Sequence, residues 1–554
     1  MNRWTPKSIL ALRAYSLEQL RHDLVAGVTV GLVALPLAMA FAISSGVSPQ
    51  AGIYCAIVTG FLISALGGSN FQIGGPTGAF VVVVAGIIAK YGIDGLFMST
   101  MMAGVILVVL GATGLGTAVK FIPQPVVVGF TNGIAVVIAS TQLRDLFGLQ
   151  MGGVPSDFLP KMRALLAAAP TWSPLATGIG IGAVVFLVIW RRLGIRVPGY
   201  IVVLVGTTAV SAVAGLPVET IGSRFGGIAG TLPHVVLPTF RTDLILTLLS
   251  PALTIAMLGA VESLMSAVVA DRLGGDRHNP NVELIAQGIA NIASPLVGGL
   301  PATGALARTA TNIRSGARTP IAGIIHAITL LTVLLVAAPL ARYVPLAVLA
   351  GILVMVAYQM GEWAEIPHLL KLPKADIAVW LVTFLLTVLA DLTVAVETGM
   401  ILAMLMFIRK VSRTTTVSEA AEDDAEEGRL HVLHDKQVPE YVTVFRVYGP
   451  LLFGTTDALL RVTERVHGLP RIVVLKLRHV TAIDATGLRA LEDLAERLHK
   501  SGRELIVCGA RAQPGMLMAS ADFHRYVGAE NICANTTTAL SRAEDLHRQQ
   551  RSVA

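Results

Sequence analysis

The chain has 554 residues, 54% of them hydrophobic and 14% charged, with a mean hydropathy of +0.70 and a formal net charge of +7. That balance places it among integral membrane proteins. The positive excess is explained by where the basic residues fall relative to the membrane and is not a nucleic-acid footprint. Three cysteines (Cys55, Cys508, Cys533) lack the spacing of a metal site, redox motif or disulfide framework. Met1 to Leu20 is basic but mixed, without a short apolar core and small-residue cleavage site, so no removable signal peptide is expected.

Apolar runs of spanning length recur from about Leu24 to Ile408, as a bilayer core of roughly 30 Å requires. About fourteen membrane segments are expected, starting near Leu24, Gly52, Thr77, Gly95, Pro125, Pro174, Pro198, Asp243, Asn281, Thr303, Pro320, Pro345, Ala375 and Thr393. Basic residues tend to stay on the cytoplasmic side, which tests the count. With Arg3, Lys7, Arg13 and Arg21 inside, Lys120, Arg191, Arg192, Arg196, Arg272, Arg277, Arg314, Arg318, Lys371, Lys374, Arg409 and Lys410 all fall on cytoplasmic ends. The stretch from Gly215 to Thr242 falls outside and carries only Arg224 and Arg241. Arg144, beside Asp145 at an outer end, is an exception.

One short phrase occurs twice. Gly75-Pro76-Thr77-Gly78-Ala79-Phe80 opens the third segment, and Pro301-Ala302-Thr303-Gly304-Ala305-Leu306 opens the tenth. Each follows a Gly/Pro-rich lead-in that cannot continue a spanning helix, so each reads as an extended piece breaking into a short helix. Within a membrane such a break survives only inside protein or beside a water-filled cavity. Fourteen segments divide into seven and seven, and an odd repeat enters the bilayer from the opposite side the second time. The expectation is an inverted repeat, about 24–215 and 243–412, whose two half-helices meet at the midplane. Their N-termini would present free N–H groups and positive dipole ends to a shared anion site.

The chain changes character after Arg413. Residues 1–23 are expected to be a cytoplasmic N-terminus, 24–412 the transport domain, 413–436 an acidic linker and 437–554 a small α/β domain. Strands are expected over Tyr441–Val447, Arg471–Leu477 and Glu504–Cys508, with helices over Thr456–Val466, Ala485–Lys500, Pro514–Ala521 and Thr537–Gln549.

Ionisable residues inside membrane segments are costly and are functional candidates by default. Glu262, in the eighth segment, is the clearest: a carboxylate there can take up a proton when an anion arrives, or can pin two helices as a hydrogen-bonded structural group. Arg308, about one turn beyond the second break, has three open placements: charge at the anion site, a pair with Glu262, or the cytoplasmic vestibule. Thr77 and Thr303 can offer hydroxyls to substrate or cap their own helices. Ser266, a turn beyond Glu262, shares its face. Asp391 and Glu397 lie at the junction of the last two segments, where exposure at the membrane interface is the simpler account, and His326 in an apolar run reads as a satisfied packing residue. Tyr343, Trp363 and Trp380 suit interfacial anchoring. No metal-ligand cluster, GxSxG, Walker or GxGxxG context supports an enzyme.

Leu35-Pro36-Leu37-Ala38-Met39-Ala40-Phe41-Ala42 and Ser48-Pro49-Gln50-Ala51-Gly52-Ile53-Tyr54 resemble the first-segment signature of the sulfate permease (SulP) family of anion transporters. The first break resembles that family's third segment. Asn281 to Gly288, and Ala302-Thr303-Gly304 through Arg308-Thr309, resemble its ninth and tenth. The C-terminal domain resembles a STAS domain, with Asp484-Ala485-Thr486-Gly487 matching its Asp-Ser-Ser-Gly-type loop. The resemblance implies a homodimer in the inner (cytoplasmic) membrane with both termini cytoplasmic, and a possible cytoplasmic protein partner for the STAS domain. It implies a small anion held by Thr77, Gly78, Ala79, Phe80, Thr303, Gly304, Ala305, Leu306, Ala307 and Arg308, no cofactor, and contacts with membrane lipid but not nucleic acid. Within the family, Ala34 to Gln50, Met257 to Ala267 and Ala305-Leu306-Ala307-Arg308 are most similar to bacterial C4-dicarboxylic acid transporters. That likeness implies proton-coupled uptake of fumarate, succinate or aspartate, with Glu262 as the coupling carboxylate. Sulfate or bicarbonate transport, or a passive anion channel, are the alternatives. Leu37 stands where many sulfate-type members have Gln, position 262 is Glu where sodium-coupled bicarbonate members have Asp, and Ala485 replaces a phosphorylated serine.

Overall fold

The computed structural model describes residues 4–116, 123–151, 154–155, 157–193, 198–235, 238–239, 241–390, 392–419, 438–453, 455, 459 and 468–553. Lys120, Arg196, Asp391, the acidic run 422–427 and most of the helix expected over 456–466 lie outside the described residues. The chain forms two compact units, 1–401 and 402–554.

The first unit is helical. Its elements are α1 (Lys7–Leu12), α2 (Leu17–Ser44), α3 (Pro49–Leu66), the two-residue strand β1 (Gly74–Gly75), α4 (Gly78–Ala112), α5 (Gln124–Phe147), α6 (Phe158–Ala168), α7 (Pro174–Arg192), α8 (Gly199–Ala214), α9 (Ile221–Phe225), α10 (Ile245–Gly274), α11 (Pro280–Ala293), β2 (Thr303–Gly304), α12 (Leu306–Arg314), α13 (Ile321–Ala341), α14 (Leu346–Met360), α15 (Ile366–Leu369), α16 (Lys374–Leu389) and α17 (Leu392–Thr414), within which the division between units falls. Among the described residues, eight helices are long and apolar enough to cross a membrane, and α8 is shorter but apolar.

Local chemistry sets several ends. Ser16 closes a capping box with Gln19 at the start of α2, and Ser48 followed by Pro49 starts α3. The expected third and fourth segments run on as α4, interrupted at Gly92, whose φ of 74° breaks the helical path. The break therefore lies three residues before the expected start at Gly95. The membrane-segment count did not anticipate α6, which at eleven residues is too short to span.

Helices from the two halves of the chain pack on one another: α11 on α4, α13 on α2, and α16 and α14 on α5. At the α4–α11 crossing, a Cβ on Gly104 or Gly288 would press on the other's carbonyl oxygen. Small residues there let the backbones approach, which is how helices gain packing where lipid removes the hydrophobic driving force.

The second unit is a five-stranded sheet in the order β3 (Thr416–Glu419), β4 (Val442–Tyr448), β5 (Ile472–His479), β6 (Glu504–Cys508), β7 (Ile532–Cys533). Only the β3–β4 pair is antiparallel. Its helices are α18 (Ala485–Lys500), α19 (Ala512–Ser520), α20 (His524–Val527) and α21 (Thr536–Val553). Alternation along the strands serves two apolar layers: Phe445, Val473, Leu475 and Val507 meet α18, and Val444, Val474 and Ile506 meet Ala539 and Ala543 of α21. The start of the expected linker is corrected here. Thr416–Glu419 is the sheet's first strand, in register with Phe445 to Tyr448. Its two β-branched residues, Thr416 and Val417, were overshadowed by the acidic run that follows.

Candidate functional site

The two breaks meet. β1 and β2 pair antiparallel, Gly74 opposite Gly304 and Gly75 opposite Thr303. Ala305 N–H donates to the Ile73 carbonyl (2.8 Å), and Ile73 N–H donates to the Thr309 hydroxyl (3.1 Å). Each strand enters its helix within three residues, so the starts of α4 and α12 lie close to the paired strands. Their first N–H groups, at Gly78 and Ala79 and at Leu306 and Ala307, have no intrahelical partner and carry the positive ends of the dipoles. Leu306 is 47% exposed and Ala307 is also open, whereas Gly78, Ala79, Phe80, Gly304 and Ala305 are buried.

One face of α10 serves both breaks. Gly259, Glu262, Ser263 and Ser266 recur at helical spacing. Glu262 accepts a hydrogen bond from the Thr77 hydroxyl (2.8 Å). Ser263 Oγ lies 2.6 Å from Thr303 Oγ1 and accepts from Gly304 N–H (3.1 Å), while Thr303 also donates to the Gly259 carbonyl (3.0 Å). Ser266 donates to Thr309 (3.2 Å) rather than sharing the contact of Glu262. Phe80 packs into the apolar cluster beside α10, with its ring edge near Gly259. Glu262 is half-buried and lines a cavity of about 70 Å³ with Ala79, Phe130, Ile134, Met265 and Met360.

Several expectations change. Thr77 has the extended backbone of an N-cap residue, but its hydroxyl serves Glu262 and not its own helix. Thr303 is no cap at all: α12 begins at Leu306, Ala305 occupies the cap position, and Thr303 sits in β2. The repeated letters therefore do not occupy repeated places, because the second lead-in reaches its helix later. Arg308 neither pairs with Glu262 nor faces the vestibule. It is 2% exposed, folds back across the first break and donates through Nη2 to the Pro76 carbonyl. A Cβ at Gly75 (φ 152°) would overlap its guanidinium, and one at Gly304 would overlap the Gln72 carboxamide. His326 is fully buried, in the place of a packing residue. Leu37 of α2 packs in the apolar cluster that includes Val81 and Met355.

Sequence reasoning missed Ser263, Gln72 and Glu283. Gln72 is buried and donates to the Ser263 carbonyl (3.0 Å). Glu283, at 0% exposure, accepts from Gly68 N–H (2.9 Å) and from Gln287 (3.0 Å). Ser263 was legible, being one residue from Glu262 on the face that carries Gly259 and Ser266.

A larger cleft of about 1360 Å³ opens among the ends of α7, α12 and α14, lined by Arg191, Tyr200, Thr311, Arg314, Gln359 and Trp363. In the second unit, Asp484 caps α18 by accepting from Gly487 N–H (2.8 Å) and also accepts from Phe453 N–H (2.9 Å), which fixes the loop. Thr486 is exposed on the first turn. Burial pushes the Cys508 thiol up to about 11, away from a reactive thiolate.

Comparison with known proteins accords with this architecture. The sulfate permease family model matches residues 20–383, and the STAS domain model matches 434–539. The chain is 40% identical to the putative sulfate transporter YvdB of Bacillus subtilis, over 94% of this chain and 97% of that protein. It is 30% identical to the bicarbonate transporter BicA of Picosynechococcus, over 95% of each. Among solved structures, the transmembrane domain of a cyanobacterial BicA aligns with a TM-score of 0.63 at 34% identity, covering 69% of this chain and 98% of that one. Murine Slc26a9 shares the fold over 98% of this chain and 94% of its own, with a TM-score of 0.86 at 18% identity. The chain belongs to the sulfate permease family: it is a multi-pass helical membrane anion transporter with a C-terminal STAS domain, and not an enzyme.

Proposed function

We propose that this protein is a proton-coupled secondary transporter that takes up a small anion by alternating access, with the anion between the starts of α4 and α12 and the proton on Glu262. One observation carries this reading. The Glu262 carboxylate is held 2.8 Å from the Thr77 hydroxyl at the first half-helix start, so it borders the place where backbone N–H groups gather. A charged carboxylate about 5 Å from an arriving anion repels it by roughly 3 kcal/mol at an effective dielectric of about 20. Protonating the carboxylate removes that term, so anion and proton favour each other's binding. The Nη2 bond of Arg308 to Pro76 keeps a positive charge behind the same break without placing it in the path.

Sulfate and bicarbonate come first as substrates, because two relatives similar along nearly their whole length are named for them. The C4-dicarboxylates stay in the test because the stretches around Glu262 and Arg308 resemble those transporters. The protein acts as a homodimer in the cytoplasmic membrane with both termini inside, and its STAS domain engages a cytoplasmic protein. The test is uptake of labelled sulfate, bicarbonate and fumarate into proteoliposomes, with and without an inward proton gradient. One of the three accumulates above equilibrium only with the gradient, and Glu262→Gln abolishes the accumulation. Equal uptake with and without the gradient, unchanged in Glu262→Gln, would replace coupling with passive conduction.

A further inference from the structure

Helix α11 carries a buried polar stripe, Glu283, Gln287 and Asn291, spaced four residues apart and each no more than 1% exposed. Polar groups buried among membrane helices are costly unless they are bonded, and each bond here has a direction. Glu283 holds Gly68 N–H in the lead-in to β1 (2.9 Å). Gln287 Nε2 donates to Glu283 (3.0 Å). Asn291 does more. Its Oδ1 accepts from Ala302 N–H (2.9 Å), and its Nδ2 donates both to the Ala302 carbonyl (2.8 Å) and to the Gln287 carbonyl (2.8 Å).

A single carboxamide thus clamps both backbone polar groups of Ala302, the residue immediately before β2. Ala302 is fully buried, and four residues later the chain starts α12 with the open N–H groups of Leu306 and Ala307. The Asn291 clamp and the Ser263 bond to Gly304 N–H fix two of the three residues that lead into Ala305. Asn291 touches no part of the anion's proposed place, so any effect on binding must pass through the aim of those N–H groups.

We propose that Asn291 is the positioning residue for the second half of the anion site. By holding Ala302 through both backbone groups it sets the direction of the α12 N-terminus and with it the affinity for the anion. This rests on the reading that the anion binds at the half-helix starts, and the test separates the two. Leu306→Pro removes one donor from the first turn of α12, where proline is tolerated because no intrahelical bond is lost and Ala305 already has the extended backbone (φ −88°, ψ 108°) that precedes proline. It examines the site alone. Asn291→Ala removes the clamp, and the isosteric Asn291→Asp keeps the shape of the side chain while replacing the amide that serves two carbonyls with an oxygen that has at most one proton to donate. Thr100→Val serves as a control, since that buried hydroxyl bonds only within its own helix (2.8 Å to the Leu96 carbonyl).

Uptake kinetics are measured in proteoliposomes with whichever of sulfate, bicarbonate or fumarate the wild type accumulates. Both Asn291 variants raise KM about ten-fold with the maximal rate within about two-fold, as expected for loss of bonds that orient binding groups. Leu306→Pro also raises KM, and Thr100→Val leaves it unchanged. A raised KM in Leu306→Pro with both Asn291 variants within about two-fold of wild type would overturn the positioning role and leave the site intact. No change in Leu306→Pro would remove the anion from the break and take the proposal with it. A fall in maximal rate with unchanged KM in the Asn291 variants would reduce Asn291 to general packing.

Discussion

The two breaks are built from nearly the same words and held in different ways. At the first, the hydroxyl of Thr77 turns away from its own helix to an ionisable partner, Glu262, and the preceding carbonyl is held by a guanidinium. At the second, Thr303 is locked among neutral groups, the Ser263 hydroxyl and the Gly259 carbonyl, and the preceding residue is clamped by an amide. One break can change charge and the other cannot. A site that must bind an anion tightly and then release it gains from that division: the neutral side keeps the geometry fixed while the ionisable side changes the energy.

The sharpest way to break this comparison is to neutralise each side. Glu262→Gln abolishes gradient-driven accumulation in the proteoliposome assay, whereas Ser263→Ala, one residue away, keeps proton dependence and loses rate. Equal proton dependence in both variants would make the two breaks equivalent. A smaller effect comes from filling the space each break leaves. Gly75→Ala drives a methyl into the Arg308 guanidinium at a φ that side chains rarely adopt, and Gly304→Ala drives one into Gln72. Each is expected to cost about 1–3 kcal/mol, Gly75→Ala the more because backbone strain adds to overlap. Thermal unfolding in detergent checks the order, with Gly75→Ala melting lower.

Smaller again is the pair Thr77→Val and Thr303→Val. Each removes one hydroxyl, worth about 1 kcal/mol net. Thr77→Val shifts the pH profile of uptake because it strips a hydrogen bond from the ionisable group, while Thr303→Val lowers the melting temperature and leaves the profile in place. A shifted profile in Thr303→Val would show that charge is shared across the breaks. The smallest effect on transport is expected far from either. Asp484→Ala uncaps α18 and costs about 0.5–2 kcal/mol locally. Hydrogen exchange at residues 485–488 rises, while uptake stays at the wild-type level.

Much of this was legible in order along the chain. Apolar runs, their basic ends and the alternation of the C-terminal strands follow from local rules, since a spanning helix or a half-buried strand is a repeating pattern of neighbours. The helix over 485–500 appeared where expected because its cap, Asp484, and the apolar spacing of Leu488, Leu491, Leu494 and Leu498 are all local to it. Glu262 was visible as a charge in an apolar run. Strand β3 was not, because four residues become a strand only when β4 offers its edge. Glu283 was read as part of a familiar stretch and given no role, and Asn291, beyond that stretch, was not singled out, since their partners, Gly68 and Ala302, lie on other elements.

Local pattern was enough to mark a membrane protein with paired helix breaks and a separate α/β domain, because periodicity, charge placement and breaker residues act over a few neighbours. The tertiary structure alone decided what each polar group at the breaks does. Thr77 and Thr303 each open the same Thr-Gly-Ala, yet one meets a carboxylate and the other a serine, according to which residue of α10 stands opposite. Arg308 turned from an open cation into a brace because the Pro76 carbonyl lay within its reach. The partners of Thr77, Thr303 and Arg308 stand 40 to 232 positions away, and over such distances only packing chooses the pair.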